Sequence, residues 1–249
     1  MAGPGRGLSS RMTTLGIIGS GNIGTVVAKL AIAAGIDVVL ANSRGPESLR
    51  EKAAELGVRA GTAVEAAEAG DVVVVTIPLG RYAEVPVEPL VGKVVIDTMN
   101  YYPSREGRIE ELDNETSNVA DLLQRHLPES RTVKVFNNIA AINLLNLARP
   151  SGAEDRSALP LAGNDADARK TVAELLDQLG WDAVDIGPLS ESWRIETETA
   201  AYVDPYVSEG SSLERIMGGY NDPGRTAPVA EIEKLVATAF RPPVKDRQF

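Results

Sequence analysis

A glycine triplet near the start of the chain has the spacing with the clearest chemical meaning. Residues 19–24 follow the pattern G-x-G-x-x-G, which is typical of a loop that holds the pyrophosphate of a dinucleotide. Gly19 would allow the tight turn from strand to helix, Gly21 the approach of the phosphates, and Gly24 the packing of helix on strand. N–H groups at the helix start would then face the negative charge. The predicted contacts are the six loop residues: Gly19, Ser20, Gly21, Asn22, Ile23 and Gly24.

The residues around this loop predict the elements that position it. An apolar run at 13–18 precedes the loop, and apolar side chains recur at helical spacing after it until Gly35. Residues 36–41 then have the pattern of a second strand. This order of strand, helix and strand is a complete βαβ unit, which favours dinucleotide binding over an ordinary glycine turn.

Three polar residues after the second strand predict which dinucleotide binds. An NAD site usually has an acidic residue here, about 20 residues beyond the glycines. This chain has Asn42, Ser43 and Arg44 instead. A guanidinium and a hydroxyl suit the 2′-phosphate of NADP. The alternative is that Arg44 only begins the next helix as a solvated residue.

Further strands are expected to bring other groups to the same edge of the sheet. Residues 71–78 form an apolar run suited to a buried parallel strand, and its end comprises Thr76, Ile77 and Pro78. The strand predicted at 93–98 is followed by Tyr101 and Tyr102, which would either stack on a flat ligand or pack the loop.

The second half of the chain continues the same alternation. The strand at 132–136 ends at Asn137 and Asn138, whose amides can bond a carboxamide or a flavin-like edge. We predict a surface loop at 104–116. The other predicted elements are helices near 119–127, 140–148 and 165–179, strands at 158–162 and 181–186, and helical stretches around 191–201 and 229–240. The fold class is α/β: a Rossmann-type, doubly wound, mainly parallel sheet with a small helical C-terminal extension.

Composition excludes several classes of site and partner. The 249 residues have a net charge of −10, which argues against a nucleic-acid surface. With no cysteine and one histidine, thiol chemistry and multi-histidine metal sites are excluded, and we predict no metal. No apolar run approaches the length of a membrane span, so no membrane partner is expected. Residues 1–11 lack an apolar signal-peptide core and are expected to be a disordered extension, and the protein is expected to be cytoplasmic.

The scarcity of acid–base residues indicates the type of acceptor. Dehydrogenases of alcohols and hydroxy acids need a proton donor or acceptor. His126 lies in a predicted helix and not at a strand end, so we interpret it as structural. A hydride acceptor with its own conjugated ring needs mainly orientation and desolvation. This favours hydride transfer between NADPH and a flavin-like coenzyme.

Several segments together resemble the NADPH-dependent reductases of coenzyme F420, a 5-deazaflavin. The NADPH-binding domain of the STEAP metalloreductases is similar over the same stretch, about residues 12–200. The segments that carry the resemblance are the glycine loop, Asn42-Ser43-Arg44, Val75-Thr76-Ile77-Pro78, Phe136-Asn137-Asn138-Ile139-Ala140-Ala141 and Gly187-Pro188-Leu189.

The resemblance implies roles for particular residues. Ser43 and Arg44 would hold the 2′-phosphate, and residues 76–78 would border the nicotinamide riboside. Asn137, Asn138, Ile139 and Ala140 would face the nicotinamide, the two asparagines only orienting it. Leu189 would lie near the acceptor ring, as would Tyr101 if it stacks.

The resemblance also implies a homodimer and a division of the chain. An NADP-binding domain is expected at 12–188, and the region 189–249 would contribute to the acceptor site or the dimer interface. The expected acceptor is F420 or a flavin. The alternatives are a reductase of a flavin, metal chelate, carbonyl or imine, and a non-enzymatic NADPH sensor.

Overall fold

A computed structural model describes residues 14–243 of the chain. The extension predicted at 1–11 lies outside the described residues. Eight strands form one sheet in the order β3-β2-β1-β4-β5-β6-β7-β8. The strands are β1 (Thr14–Ile18), β2 (Asp37–Ala41), β3 (Arg59–Gly61), β4 (Val72–Val75), β5 (Val94–Asp97), β6 (Arg131–Lys134), β7 (Ala158–Gly163) and β8 (Asp182–Asp185).

All neighbouring strands pair in parallel except β6 and β7, which are antiparallel. The carboxyl ends of β1 to β6 therefore meet at one side of the sheet, which we call the carboxyl edge. The mainly parallel sheet confirms the predicted fold class.

Helices connect the strands. The α-helices are α1 (Asn22–Ala33), α2 (Arg50–Leu56), α3 (Ala63–Ala69), α4 (Pro103–Glu106), α5 (Glu110–Asp113), α6 (Val119–His126), α7 (Ala141–Asn146), α8 (Ala166–Gln178), α9 (Leu213–Met217) and α10 (Val229–Ala237). Short 3₁₀ helices lie at Pro46–Leu49, Leu79–Glu84, Glu88–Leu90, Leu189–Ile195 and Asp204–Tyr206.

The four valines of β4 illustrate why the sheet is covered on both faces. All four are buried, and successive side chains point to opposite faces. Val72 and Val74 join a core with residues of α1, α8 and α10, whereas Val73 and Val75 join a second core with residues of α3 and α6. Burying each such side chain contributes about 1.5–3 kcal/mol. The sequence therefore requires helices on both sides.

The structure corrects three local predictions. The edge strand β3 was not predicted, because its three residues are too few to show a pattern. The segment 104–116, predicted as a surface loop, contains most of α4 and the whole of α5. The helix predicted around 191–201 is instead the 3₁₀ helix at Leu189–Ile195, after which the chain turns.

The region after β8 packs back onto the sheet. The backbone N–H of Val203 donates to the carbonyl oxygen of Asn138 at 2.8 Å, next to the end of β6. The buried hydroxyl of Tyr206 donates to the carbonyl of Ala158 in β7 at 2.9 Å. The C-terminal region is thus fixed against the carboxyl edge near β6 and against β7.

Candidate functional site: the carboxyl edge of the sheet

Gly19 and Gly24 make the turn between β1 and α1 possible. Gly19 has a φ of +122°, and a Cβ atom there would lie 2.1 Å from the carbonyl oxygen of Thr76. A Cβ on Gly24 would lie 2.1 Å from the carbonyl oxygen of Gly19. Neither position accepts a side chain, so the loop, the first turn of α1 and the end of β4 touch through their backbones.

Gly21 leaves open space at the start of α1. It is exposed, and a Cβ atom placed on it would meet nothing within 4 Å. It is also the N-cap of α1, without a side-chain capping bond and without an acidic residue in the first turn. The N–H groups of the first turn, with the positive end of the helix dipole, therefore face an open cradle suited to phosphates. This geometry fits a dinucleotide pyrophosphate.

A tight turn after β2 exposes the two residues expected to select the cofactor. The Oδ1 atom of Asn42 accepts from the backbone N–H of Arg44 at 2.9 Å, and its amide donates to Ser48 at 2.9 Å. Asn42 thus organises the turn, while Ser43 and Arg44 are exposed. Gly45, with a φ of +85°, then starts the 3₁₀ helix. The residues fit a 2′-phosphate, because an exposed guanidinium and hydroxyl face outward beside the glycine loop.

The end of β4 borders the glycine loop. The backbone N–H of Thr76 donates to the carbonyl of Ile18 at 2.9 Å, so Thr76 lies beside the end of β1. Thr76 and Ile77 are half-exposed and Pro78 is exposed. These three residues therefore lie at the carboxyl edge beside the glycine loop, and their contact with a cofactor stays a prediction.

Asn137 and Asn138 lie at the carboxyl edge, but their amide groups point into the protein. Both are buried. The Nδ2 atom of Asn137 donates to the carbonyl of Ile195 at 2.7 Å, and that of Asn138 donates to the carbonyl of Ala201 at 2.8 Å. The two amides therefore tie the C-terminal region to the edge.

The segment around these asparagines has an unusual backbone. Phe136, just before them, and Val203, which bonds to Asn138, have φ angles of +67° and +60°. A positive φ is uncommon for any residue except glycine and is an outlier for a β-branched one. Of the two residues that follow the asparagines, Ile139 is buried, whereas Ala140 is half-exposed at the start of α7.

Asn100, three residues after β5, lies at the carboxyl edge and is a candidate site residue that the sequence did not single out. It is half-exposed, and its Nδ2 atom donates to the backbone carbonyl of Asn137 at 2.8 Å. In a second hydrogen bond, the Nδ2 atom of Asn137 donates to Oδ1 of Asn100 at 3.3 Å. The general rule that ligands bind at the carboxyl ends of parallel strands would have indicated it.

The structure does not support the acceptor contacts predicted for Tyr101 and Leu189. Tyr101 is 2% exposed, and its hydroxyl donates to Asp113 at 2.8 Å and accepts from the N–H of Ile109 at 2.9 Å. It therefore packs the loop, the second of the two roles considered for it. The side chain of Leu189 is fully buried, so it presents no surface to a ligand.

Tyr102, the other tyrosine after β5, is the one nearer the surface. It is half-exposed, its hydroxyl is hydrogen-bonded to that of the buried Tyr202, and the guanidinium of Arg105 lies 4.8 Å from its ring centre. Burial is the largest cause that raises the pKa of Tyr202, and the contact with Tyr102 raises it further. This hydroxyl therefore stays protonated at neutral pH.

A buried ion pair lies beneath this part of the edge. The Nζ atom of Lys134 is 3.1 Å from Oδ2 of Asp97, and neither side chain is exposed. Burial raises the pKa of Asp97, while the neighbouring ammonium acts in the opposite direction. Lys134 also bonds the carbonyl of Met99, and Asp97 accepts from the N–H of Met99 at 2.7 Å. The pair fixes the loop that carries Asn100.

His126 packs against the 3₁₀ helix at Leu79–Glu84 and the residue that follows it. Its Nε2 atom is 2.8 Å from the carbonyl of Val85, and its ring makes an edge contact with Tyr82. Within residues 14–243, no cluster of three or more histidine, aspartate or glutamate side chains is arranged to hold a metal. None of the helices in this range is long and apolar enough to cross a membrane.

Several known proteins are similar to this chain in sequence. The family model described as NADP oxidoreductase, coenzyme F420-dependent, matches residues 14–101. The F420-dependent NADP reductase of Methanocaldococcus jannaschii is 28% identical over 188 residues, which are 70% of this chain and 80% of that protein. The metalloreductase STEAP3 of Rattus norvegicus is 26% identical over 188 residues, 73% of this chain but 35% of that protein.

One solved structure is more similar in sequence. The crystal structure of the hypothetical protein SMa0349 from Sinorhizobium meliloti is 34% identical, with a TM-score of 0.65. The match covers 75% of this chain and 91% of that one. The chain is therefore similar to the coenzyme F420-dependent NADP oxidoreductases, whose family model matches residues 14–101, and it is an NADP-dependent oxidoreductase.

Proposed function

We propose that this protein transfers a hydride between NADP(H) and a deazaflavin, coenzyme F420. The observation that carries the cofactor assignment is the open cradle at Gly21 beside the exposed pair Ser43 and Arg44. The glycine loop would hold the pyrophosphate, and the pair would hold the 2′-phosphate. The name of the M. jannaschii relative, an F420-dependent NADP reductase, supports the acceptor.

The chemistry of the edge favours an acceptor that needs no proton relay. When NADPH is bound, its dihydronicotinamide would supply the hydride to the acceptor ring, and the one proton that completes the reduction of the deazaflavin would come from solvent and not from a side chain. Lys134 and Asp97 are buried against each other, and the hydroxyls of Tyr102 and Tyr202 bond to each other. The protein residues would therefore bind and orient the rings and exclude water, with Thr76, Ile77 and Pro78 beside the nicotinamide riboside.

Asn137 and Asn138 would act by orientation only. Their amides hold residues 195–203 against the carboxyl edge, so they shape the space over the nicotinamide without touching the reacting atoms. Ala140, half-exposed at the start of α7, would face the ring, and the buried Ile139 would support it from below.

The division of the chain is part of the same proposal. We assign 12–188 to the NADP-binding domain and 189–249 to a region that contributes to the acceptor site. The contacts of Ile195, Ala201 and Tyr202 with the edge support this assignment. We also propose a cytoplasmic homodimer, which size-exclusion chromatography with light scattering would test.

The alternative is a reductase of a flavin, a metal chelate, or a small carbonyl or imine. The match to the metalloreductase STEAP3 favours the metal-chelate version among these. A panel assay separates the proposals: the protein is mixed with NADPH and with F420, FMN, a ferric chelate or no acceptor, and NADPH absorbance is followed. Oxidation of NADPH with F420 and with none of the other acceptors supports the deazaflavin as the acceptor. Oxidation with FMN or the chelate supports the alternative, and NADPH binding without turnover indicates a sensor.

A further inference from the structure

One lysine that the sequence analysis did not single out reaches the glycine loop. Lys52 lies in α2, and its side chain crosses to the start of α1. Its Nζ atom donates to the carbonyl oxygen of Ser20 at 2.9 Å and lies 3.4 Å from Oγ1 of Thr25. The Thr25 hydroxyl also donates to the Ser20 carbonyl, at 3.3 Å. Lys52 therefore connects α2 to the second residue of the G-x-G-x-x-G loop.

The ammonium group of Lys52 is not neutralised by an ion pair within the described part of the chain. The nearby pair joins Arg50 to Glu47, and both of those side chains are exposed. An ammonium has three N–H donors, and within residues 14–243 two of them have the acceptors named above. Lys52 thus adds a positive charge at the side of the glycine loop. Its third N–H donor has no acceptor within residues 14–243.

The charge of Lys52 lies beside one of the two segments that a bound adenosine ribose would contact. In a βαβ dinucleotide site the adenosine ribose bridges the glycine loop and the residues after the second strand. Here those two segments are the loop at 19–24 and the turn at Asn42, Ser43 and Arg44. α2 follows that turn in the chain, after the 3₁₀ helix at Pro46–Leu49, and Lys52 reaches from α2 to Ser20, so its ammonium lies beside the glycine loop.

We propose that Lys52 is a specificity-determining residue that, with Ser43 and Arg44, selects NADP(H) over NAD(H). This inference rests on the proposed binding of NADP(H). The simpler role is a structural tie, in which Lys52 only holds the loop to α2. A structural tie would support both cofactors equally, because both have the same pyrophosphate, whereas a charge beside the 2′-phosphate would favour only NADP(H).

Binding titrations of NADPH and NADH by the full-length protein test this inference. Lys52→Met removes the charge and keeps the length of the side chain, Lys52→Arg keeps the charge, and Lys29→Met neutralises an exposed lysine of α1 as the matched control. We expect Lys52→Met to raise the Kd for NADPH about tenfold, a change of ~1.4 kcal/mol, and that for NADH less than about twofold. Lys52→Arg should retain most of the preference, and Lys29→Met should bind both cofactors like the wild type.

Ionic strength and thermal unfolding supply independent readouts. The effect of Lys52→Met on NADPH should shrink as salt is raised, because screening weakens charge interactions near the surface. The Tm without cofactor shows whether the variant folds. Equal losses of affinity for both cofactors, or no loss for NADPH, would overturn the inference and leave the proposed function intact. A wild-type protein that binds neither cofactor would contradict the proposed function, and this inference with it.

Discussion

Asn100 and Asn137 bond to each other across the carboxyl ends of β5 and β6. The amide of Asn100 donates to the backbone carbonyl of Asn137 at 2.8 Å, and the amide of Asn137 lies 3.3 Å from Oδ1 of Asn100. Asn137 also donates to Ile195 at 2.7 Å. The side chain of Asn137 thus joins two strand ends to the C-terminal region.

Replacing Asn137 should affect turnover more than cofactor binding. Asn137→Ala leaves the carbonyl of Ile195 without its amide donor, which should lower the free energy of unfolding by about 1–3 kcal/mol. Displacement of the C-terminal region should lower kcat about tenfold, with the Kd for NADPH nearly unchanged. Steady-state kinetics and cofactor titration measure the two effects.

Asn146→Ala is the matched control for this variant. Asn146, in α7, donates to the carbonyl of Asp222 at 2.8 Å and makes no side-chain hydrogen bond to Asn100 or Asn137 among the described residues. The Asn146→Ala variant should lose a similar free energy of unfolding but keep the kcat of the wild type. If both variants lower kcat equally, Asn137 has no orienting role of its own.

Replacing Arg44 should change cofactor preference. Arg44→Ala removes the exposed guanidinium beside Ser43, and the loss of a charged hydrogen bond should weaken NADPH binding by about 1.5–3 kcal/mol. NADH binding should change little. Arg50→Ala, in the next helix, is the control, because Arg50 is exposed and pairs with Glu47. Equal losses for NADPH and NADH in Arg44→Ala would contradict the 2′-phosphate assignment.

Loss of one partner of the buried ion pair between Lys134 and Asp97 should destabilise the protein more than replacement of both partners. Lys134→Met leaves an uncompensated buried carboxylate, so we expect a loss of about 3–5 kcal/mol. The double variant Lys134→Met/Asp97→Asn should recover much of this loss, because no buried charge remains. Urea unfolding measures the free energy of unfolding of the single and the double variant. A single variant as stable as the wild type would show that the carboxyl of Asp97 is not charged in the folded protein.

Asp222 should link the stability of the C-terminal region to acid pH. Burial raises its pKa, but the hydrogen bonds from Ser208 and Asn143 outweigh burial and hold the pKa below its ordinary value. The folded pKa is therefore lower than the unfolded value of about 3.9. The stabilisation is present above that value and is lost as the pH falls through the lowered folded pKa.

A comparison of the wild type with Asp222→Asn tests the direction of this pH dependence of stability. The difference in their unfolding free energies should be largest near neutral pH and should shrink below about pH 4. Asp37→Asn makes the same change at an exposed residue at the start of β2 and serves as the control. A difference between wild type and Asp222→Asn that stays constant down to pH 3 would rule out the linkage.

The parts of the fold with strong periodicity were predictable from the sequence. The glycine spacing and the continuous apolar run of β4 are local signals, and each corresponds to an observed element. β3 was not predictable, since three residues at the edge of the sheet contain no period. The polar residues of α4 and α5 likewise predicted a loop, because neither short helix has a regular apolar face.

The orientation of side chains at the site depends on tertiary contacts that no local pattern encodes. The sequence placed Asn137 and Asn138 at the carboxyl edge but not the direction of their amides, which is set by carbonyls about 60 residues away. Tyr101 is held by Asp113 and Ile109, and Lys52 reaches Ser20 from another helix. The exposed turn at Ser43 and Arg44 was predictable because it is formed by its own neighbours.

Isotope transfer shows whether the hydride passes directly from NADPH to the deazaflavin. NADPH that carries deuterium at the reactive carbon of the nicotinamide, prepared separately for each face of the ring, is incubated with the protein and oxidised F420. The mass of the reduced F420 is then measured. We predict that the deuterium from one of the two labelled forms appears in the deazaflavin. Reduced F420 that carries no label from either form, or NADPH that is not consumed in the presence of F420, would contradict direct hydride transfer to the deazaflavin.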